Sequence, residues 1–600
     1  MRDGRTGGGA RLNRGDRGAL PPAPPSATLP PEYLIQDEDS MRKTGAGMDV
    51  DLIVTNARVI TMDAGRPFAR VVAVRAGRIA AVGGAEVAAL AGPKTRVVDA
   101  GGRTLLPGFV ESHLHLVLGG AELVQLQIGG VMGFEPLKAA FLDYAAKNPD
   151  RALLMAQGAA YEILGAPVTR HDLDRVIADR PIAMMAPDHH TVWANTLALQ
   201  QAGLLHGAQM PHGHEVVMGA DGTATGELRE FEAFGPVLAL GGEAHLQLGI
   251  ATGGEPEPWP DAATFAADLD KVAAGLAHCA AQGITTMVNM DGNRYTCALL
   301  AALEEQGRLT ARVRVPFHMK PHMEISELDR ASAMGAEFDG DWVRSGFVKM
   351  FMDGVVDSRT AYMLNDYPGV PGHRADPLFP PDRFKAICTE IDRRGMQIAV
   401  HAIGDAAVRA TIDGYEAAGR ANGFRDMRHR IEHIELIDRA DVPRLGSLGI
   451  TASLQPPHPP GVMDFPISTM EHVFHRERWR DAYLWKTLKD HGAPVAYASD
   501  WPVTDVSVLR GIQAAVTRVP YAGAGDERLS LMETLHAYTA GGAWAGHWDD
   551  ITGTLRAGMA ADLVLLDGDI EAAAPETIGA MGIALTVAGG RVTYAGAGFA

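Results

Sequence analysis

Apolar residues recur at helical spacing in several parts of the chain. Phe265, Leu269, Val272, Leu276 and Ala280 fall three or four positions apart, which places them along one face of a helix. Gly283 follows where a left-handed cap is expected, and the unbroken run 284–290 reads as a strand buried on both faces. The unit repeats as a helix over 382–394, a Gly395 cap and a strand over 397–400. Such repeats lay helices over a parallel sheet. Eight segments can form it: 105–110, 284–290, 312–318, 347–352, 397–400, 429–433, 450–454 and 495–498. Eight is the number that closes a (β/α)8 barrel, so the expected fold is α/β, a TIM barrel over 105–547. This count assigns the apolar runs 153–157 and 182–186 to a long insertion, about 130–270, of a length that can form a lid.

The two ends of the chain read differently. Short apolar strands separated by glycine turns occur at 51–54, 58–60, 71–74 and 78–82, and again at 561–566 and 585–592. Neither group can bury its own faces, so 47–104 and 548–600 are expected to meet in one small β-sandwich. Residues 1–46 are rich in Gly, Pro and Arg, include Pro21-Pro22-Ala23-Pro24-Pro25 and show no apolar period. A disordered tail is expected there.

With 46% hydrophobic and 21% charged residues, the composition is globular and supports one large domain with a smaller companion. The net charge of −19 leaves no broad basic surface, which argues against nucleic acid, and long-range steering by this field, though not by the pocket itself, favours neutral or cationic ligands; the expected partner is a small-molecule substrate. No apolar run approaches the roughly 20 residues that cross a bilayer, and no signal pattern opens the chain. A cytoplasmic protein without a membrane partner is expected, and a homodimer is compatible with it. Cys279, Cys297 and Cys388 are too few and scattered for a disulfide framework.

The candidate chemistry begins at Glu111-Ser112-His113-Leu114-His115. Residues two apart on a strand share a face, so both imidazoles can converge on one ion. Alone, such a pair is commonly incidental. Other expected strand ends carry Lys349, His401, His433 and Asp500, all facing the end of the barrel where sites of this fold are built.

The matching stretches are Pro107-Gly108-Phe109-Val110-Glu111-Ser112-His113-Leu114-His115, Val348-Lys349-Met350-Phe351-Met352-Asp353-Gly354 with Ser358-Arg359-Thr360-Ala361, His401-Ala402-Ile403-Gly404-Asp405, Arg430-Ile431-Glu432-His433 and Ala498-Ser499-Asp500-Trp501-Pro502. Together they resemble the amidohydrolase superfamily, in particular its family 3 branch, which includes N-substituted formamide deformylase. The likeness extends over most of residues 50–600. It implies a divalent metal site, zinc by expectation, with one or two ions. His113 and His115 would hold the first ion and His401 and His433 the second. Lys349, N-carboxylated by CO2, would bridge them, and Asp500 would complete the first site and act as the catalytic proton shuttle.

The chain departs from the family at Asp188-His189-His190-Thr191-Val192-Trp193-Ala194-Asn195, where His189 stands in a position usually held by glycine. His190, Trp193 and His458 are candidate substrate-binding residues, and packing is an equally good account of each. The expected activity is metal-dependent hydrolysis of a non-peptide C–N bond, in an amide or N-substituted formamide. Two alternatives stay open: deamination of a cyclic amidine on the same site, and a non-catalytic small-molecule-binding barrel.

Overall fold

A computed structural model describes residues 50–599 except His212 and Asp464. The tail expected over 1–46 lies outside the described residues. Eight strands run parallel through the centre: β1 Phe109–Leu114, β2 Ile284–Asn289, β3 Arg312–Arg314 resuming at Phe317–His318, β4 Phe347–Phe351, β5 Gln397–Ala402, β6 Arg430–His433, β7 Thr451–Leu454 and β8 Val495–Tyr497. β1 pairs with β2 and β2 with the first part of β3, while the second part of β3 opens a continuous series through β4, β5, β6 and β7 to β8. Just past β8, Asp500 N donates to His113 O at 2.9 Å, and His115 N donates to Trp501 O at 2.7 Å. These two bonds tie the end of β8 to the end of β1.

The sequence explains the local structure. Helix Ala262–Ala280 is capped by Asp261, whose side chain accepts from Thr264 N, and it buries Leu269, Val272, Leu276 and Cys279. Gly283 has φ +81°, and a Cβ there would meet Val564 at 2.6 Å and Phe109 at 3.0 Å. Only glycine permits both the turn and the close approach. Strands β1, β2, β5, β6 and β7 are buried along their whole length, as parallel strands covered on both faces must be. The three cysteines are free, buried and helical. Among the described residues, no helix is long and apolar enough to cross a membrane.

One expected strand is divided. The run 105–110 is continuous in hydropathy, but Thr104–Pro107 pairs with Arg58–Ile60 and Leu563–Leu566 in a different sheet, whereas β1 begins at Phe109. Gly108 is the break, and a Cβ there would stand 2.1 Å from Thr285 Oγ1. Hydropathy cannot show which sheet an apolar residue enters. The consequence is that His113 belongs to β1 itself, with His115 immediately after it.

The chain ends share that other sheet, in the order Arg591–Ala595, Ile583–Ala588, Leu563–Leu566, Thr104–Pro107, Arg58–Ile60, Phe68–Ala69. A four-stranded sheet of Arg78–Gly83, Val71–Arg75, Leu52–Thr55 and Arg96–Asp99 joins it through one apolar cluster containing Leu52, Val54, Val74, Leu105, Leu563 and Leu585. A further six-stranded sheet lies between β1 and β2 in sequence, from Leu126–Gln127 to Ala224–Arg229. It includes Leu154–Gln157 and Ile182–Met185 and carries separate apolar clusters. Helix Ala262–Ala280 starts inside the 130–270 span and leads directly into β2.

Candidate metal centre

Each expected ligand reaches the same end of the parallel strands. His113 ends β1 with His115 just after it, Lys349 lies in β4, His401 in β5, His433 closes β6, and Asp500 follows β8. All six are buried, none more than 8% exposed. His113 Nε2 and His115 Nε2 each stand 3.2 Å from Asp500 Oδ1. The His433 ring centroid lies 4.9 Å from that of His113 and 4.5 Å from that of His401. One ligand atom from each of His113, His433 and Asp500 falls within 4.8 Å of the others.

Neighbouring groups fix which nitrogen is free. His113 Nδ1 meets Glu432 Oε2 at 2.7 Å, His433 Nδ1 meets Gln455 Oε1 at 2.9 Å, and His401 Nε2 donates to Gly354 O at 3.0 Å. Oxygens engage one nitrogen of each ring, leaving His113 Nε2, His433 Nε2 and His401 Nδ1 as lone-pair donors. Asp353 accepts from Tyr362 N, Ile403 N and Gly404 N at 2.9, 3.1 and 2.9 Å, which locks the loop after β4 to the end of β5. His433, Ile434 and Asp500 hold φ of 78°, 49° and 64°. Left-handed backbone at non-glycine residues costs roughly 1–3 kcal/mol each and tends to gather at functional sites.

The electrostatics suit a cation. Burial pushes His401 and His433 well below the usual imidazole range, and the Lys349 amine adds to the effect in both. Burial alone would raise Asp500, but His113, His115 and His433 hold it well below the carboxylate range. Burial lowers Lys349 to about 8, against the opposing pull of Glu432 and Asp500. Lys349 Nζ, His115 Nδ1 and Asp500 Oδ1 are buried without a hydrogen-bond partner. Imidazoles held neutral at His401 and His433, an ionised carboxylate and orphaned buried polar atoms fit a divalent ion.

A cavity of about 960 Å³ opens over these residues. His190 lines it, with Nδ1 2.7 Å from Glu230 Oε2, and Glu230 also accepts from Thr360 Oγ1 at 3.0 Å. His458 lines it too, with Nδ1 3.5 Å from Glu435 and Nε2 3.7 Å from Asp500. Trp193 does not reach it. That side chain is 2% exposed in one apolar cluster of the insertion, 5.2 Å from the Tyr161 ring, while Val192 and Ala194 on the other face of its strand pack in a second cluster. The expectation that Trp193 contacts substrate is corrected to a packing role. His189 keeps the φ of a glycine, +62°, and bonds Glu122 at 3.0 and 3.1 Å.

Sequence reasoning left Glu230, Gln455 and Lys320 unassigned: Glu230 and Lys320 stand in no motif, and Gln455, although it directly follows the expected strand 450–454, was passed over for His458. Glu432 was visible only as a neighbour of His433. Its position in β6, one residue from a ligand, was the available signal.

The sequence profile of the amidohydrolase family matches residues 96–594. The chain is 28% identical over 541 residues to Protein LONG AFTER FAR-RED 3 of Arabidopsis thaliana, covering 87% of this chain and 88% of the relative. It is 26% identical over 537 residues to N-substituted formamide deformylase of Arthrobacter pascens, covering 86% and 94%. A crystal structure of an uncharacterized metal-dependent hydrolase from Pyrococcus horikoshii superposes with a TM-score of 0.67 at 23% identity, covering 88% of this chain and 98% of that one, and shares the fold. With a profile match across most of its length, the chain belongs to the amidohydrolase family of metal-dependent hydrolases.

Proposed function

We propose that the chain hydrolyses a non-peptide C–N bond, in an amide or N-substituted formamide, at the mouth of a closed (β/α)8 barrel flanked by a composite β-sandwich of 47–104 and 548–600. The observation that carries this reading is Asp500 Oδ1, held 3.2 Å from both His113 Nε2 and His115 Nε2. His113, His115 and Asp500 would hold one divalent ion and His401 and His433 a second, zinc for this nitrogen-rich set. Lys349 would bridge the two after its free amine adds to CO2 and loses a proton, giving a carbamate. A bound ion supplies a Lewis acid and lowers the pKa of water from 15.7 toward about 7.

The remaining work falls to side chains. Asp500, ionised and beside the histidines, takes a proton from the attacking water and delivers it to the departing nitrogen. His190, charged through Glu230, offers its Nε2–H to the acyl oxygen. Burial of the centre strengthens both interactions. Water adds to the acyl carbon, the C–N bond breaks, and an acid and an amine leave.

Metal analysis alongside a panel of N-substituted formamides, simple amides and cyclic amidines tests the proposal. The expected result is metal-dependent release of amine and acid from the first two groups. Turnover of amidines alone would assign a deaminase, and no turnover at full metal content would favour the binding protein.

A further inference from the structure

We propose that Lys320 binds an anionic group of the substrate, a carboxylate several bonds from the scissile amide, so that the natural substrates are acidic amides; the inference rests on the hydrolase reading above. Lys320 stands two residues beyond Phe317–His318, the second part of β3, and lines the cavity with Ile250, Met319 and Phe351. Its Nζ lies 5.0 Å from the centroid of the Phe351 ring, and Lys349 Nζ lies 4.8 Å from the same centroid. A small molecule can therefore touch Lys320 while its amide lies among the metal-site residues.

The amine is placed but not neutralised. It donates to the carbonyl of Ile250, a lining residue in the short helix Leu248–Thr252. Among the described residues, no carboxylate oxygen comes within the 4.0 Å of an ion pair, whereas Lys147, Lys271, Lys385, Lys486 and Lys489 all have one. Glu232 is the one acid that acts on it from further away, and burial together with Lys349 brings the amine down to about 8. Glu232 lines the cavity as well, while a second lining acid, Asp357, belongs to a different group, under the influence of Asp188, Glu435 and His190. Lys320 thus stands against the apolar walls of Ile250, Met319 and Phe351, with Glu232 beyond ion-pair reach as the carboxylate that acts on it. A cation in such surroundings is costly unless an anion meets it, and a carboxylate can take the protons that Ile250 leaves free.

The test is calorimetric binding to the metal-loaded protein of N-formylglycine, N-formyl-β-alanine and N-formyl-4-aminobutyrate, each compared with its neutral carboxamide. Hydrolysis of the same compounds is followed separately. At least one acid is expected to bind roughly 10- to 100-fold more tightly than its amide, the range of a charge-assisted bond. Lys320→Met should bring the acid down to the affinity of the amide, and Lys320→Arg should retain most of the preference. No preference in the wild type overturns the proposal, as does a preference that survives Lys320→Met, which would place the carboxylate on the metal. A Lys320-dependent preference without hydrolysis would retain the anion subsite and reject the hydrolase reading; hydrolysis without the preference would do the reverse.

Discussion

His113 Nδ1 lies 2.7 Å from Glu432 Oε2, and Arg430 grips the same carboxylate with Nε at 2.6 Å and Nη2 at 2.9 Å. Both acidic and basic partners are wholly buried. Burial would raise Glu432, but Arg430 and then His113 hold it far below the usual carboxylate range. An ionised carboxylate only accepts, so His113 carries its proton on Nδ1 and presents the Nε2 lone pair to the site. Glu432→Gln should therefore weaken metal binding about 10- to 100-fold, read by competition with a chelator in protein shown to be folded. Arg430 loses its charge partner in this variant, so a lower Tm is also expected. Unchanged metal affinity would remove Glu432 from the positioning role.

The contrast between His113 and Glu432 shows what was legible in the sequence. His113, His115, His401, His433 and Asp500 could be placed because each follows or ends an apolar run, and strand ends in this fold share one face. Glu432 could not, because its function depends on β1 and β6 being neighbours across 319 positions of sequence. The same holds for Glu230, which reaches His190 from the junction between strand Ala224–Arg229 and helix Phe231–Ala239, and for Lys320, whose loop has no period. The misplaced start of β1 has a different cause. Pro107 and Gly108 interrupt the direction of the chain without interrupting its hydropathy, so one apolar run feeds two sheets.

Lys349 offers a test of the bridging role. With its amine lowered to about 8 by burial, a substantial fraction is unprotonated near pH 8, and only that form adds to CO2. Metal-free protein given zinc in bicarbonate-free buffer should take up one ion, and a second only after bicarbonate is supplied. Lys349→Arg should stop at one ion under both conditions. Two ions bound without bicarbonate, counted by elemental analysis, would rule out the carbamate.

His190 and Glu230 predict a pH dependence of stability in the metal-free protein. Burial lowers His190, but Glu230 outweighs it and lifts the imidazole from 6.5 to about 9. Because the folded value is raised, the stabilisation is complete below about pH 6.5 and fades as pH rises through about 9. Glu230 is shifted downward, so its part is lost only in acid, below the ordinary value of 4.5. The Tm advantage of wild type over Glu230→Gln should thus be greatest near pH 6 and shrink toward pH 9.5. Parallel Tm profiles over that range would show that the pair is not charged.

Asp500 separates proton transfer from metal holding. It is ionised, buried, and placed by backbone as well as side chain, since Asp500 N donates to His113 O at 2.9 Å while Oδ1 sits between two imidazoles at 3.2 Å. Asp500→Asn keeps the size, the left-handed backbone and one oxygen acceptor, but the amide cannot take a proton at neutral pH. General acid–base assistance is worth about 10²–10⁴-fold, so kcat should fall by at least that much while most of the metal stays bound. His113→Ala should fail differently, because it deletes a nitrogen ligand and should lower occupancy and activity together. The comparison therefore needs metal content and turnover measured on the same samples. Near-normal kcat in Asp500→Asn at full metal content would transfer the proton shuttle to another group. His458, with Nε2 only 3.7 Å from Asp500, would be the first to examine, and the double variant would then lose the activity that the single one kept.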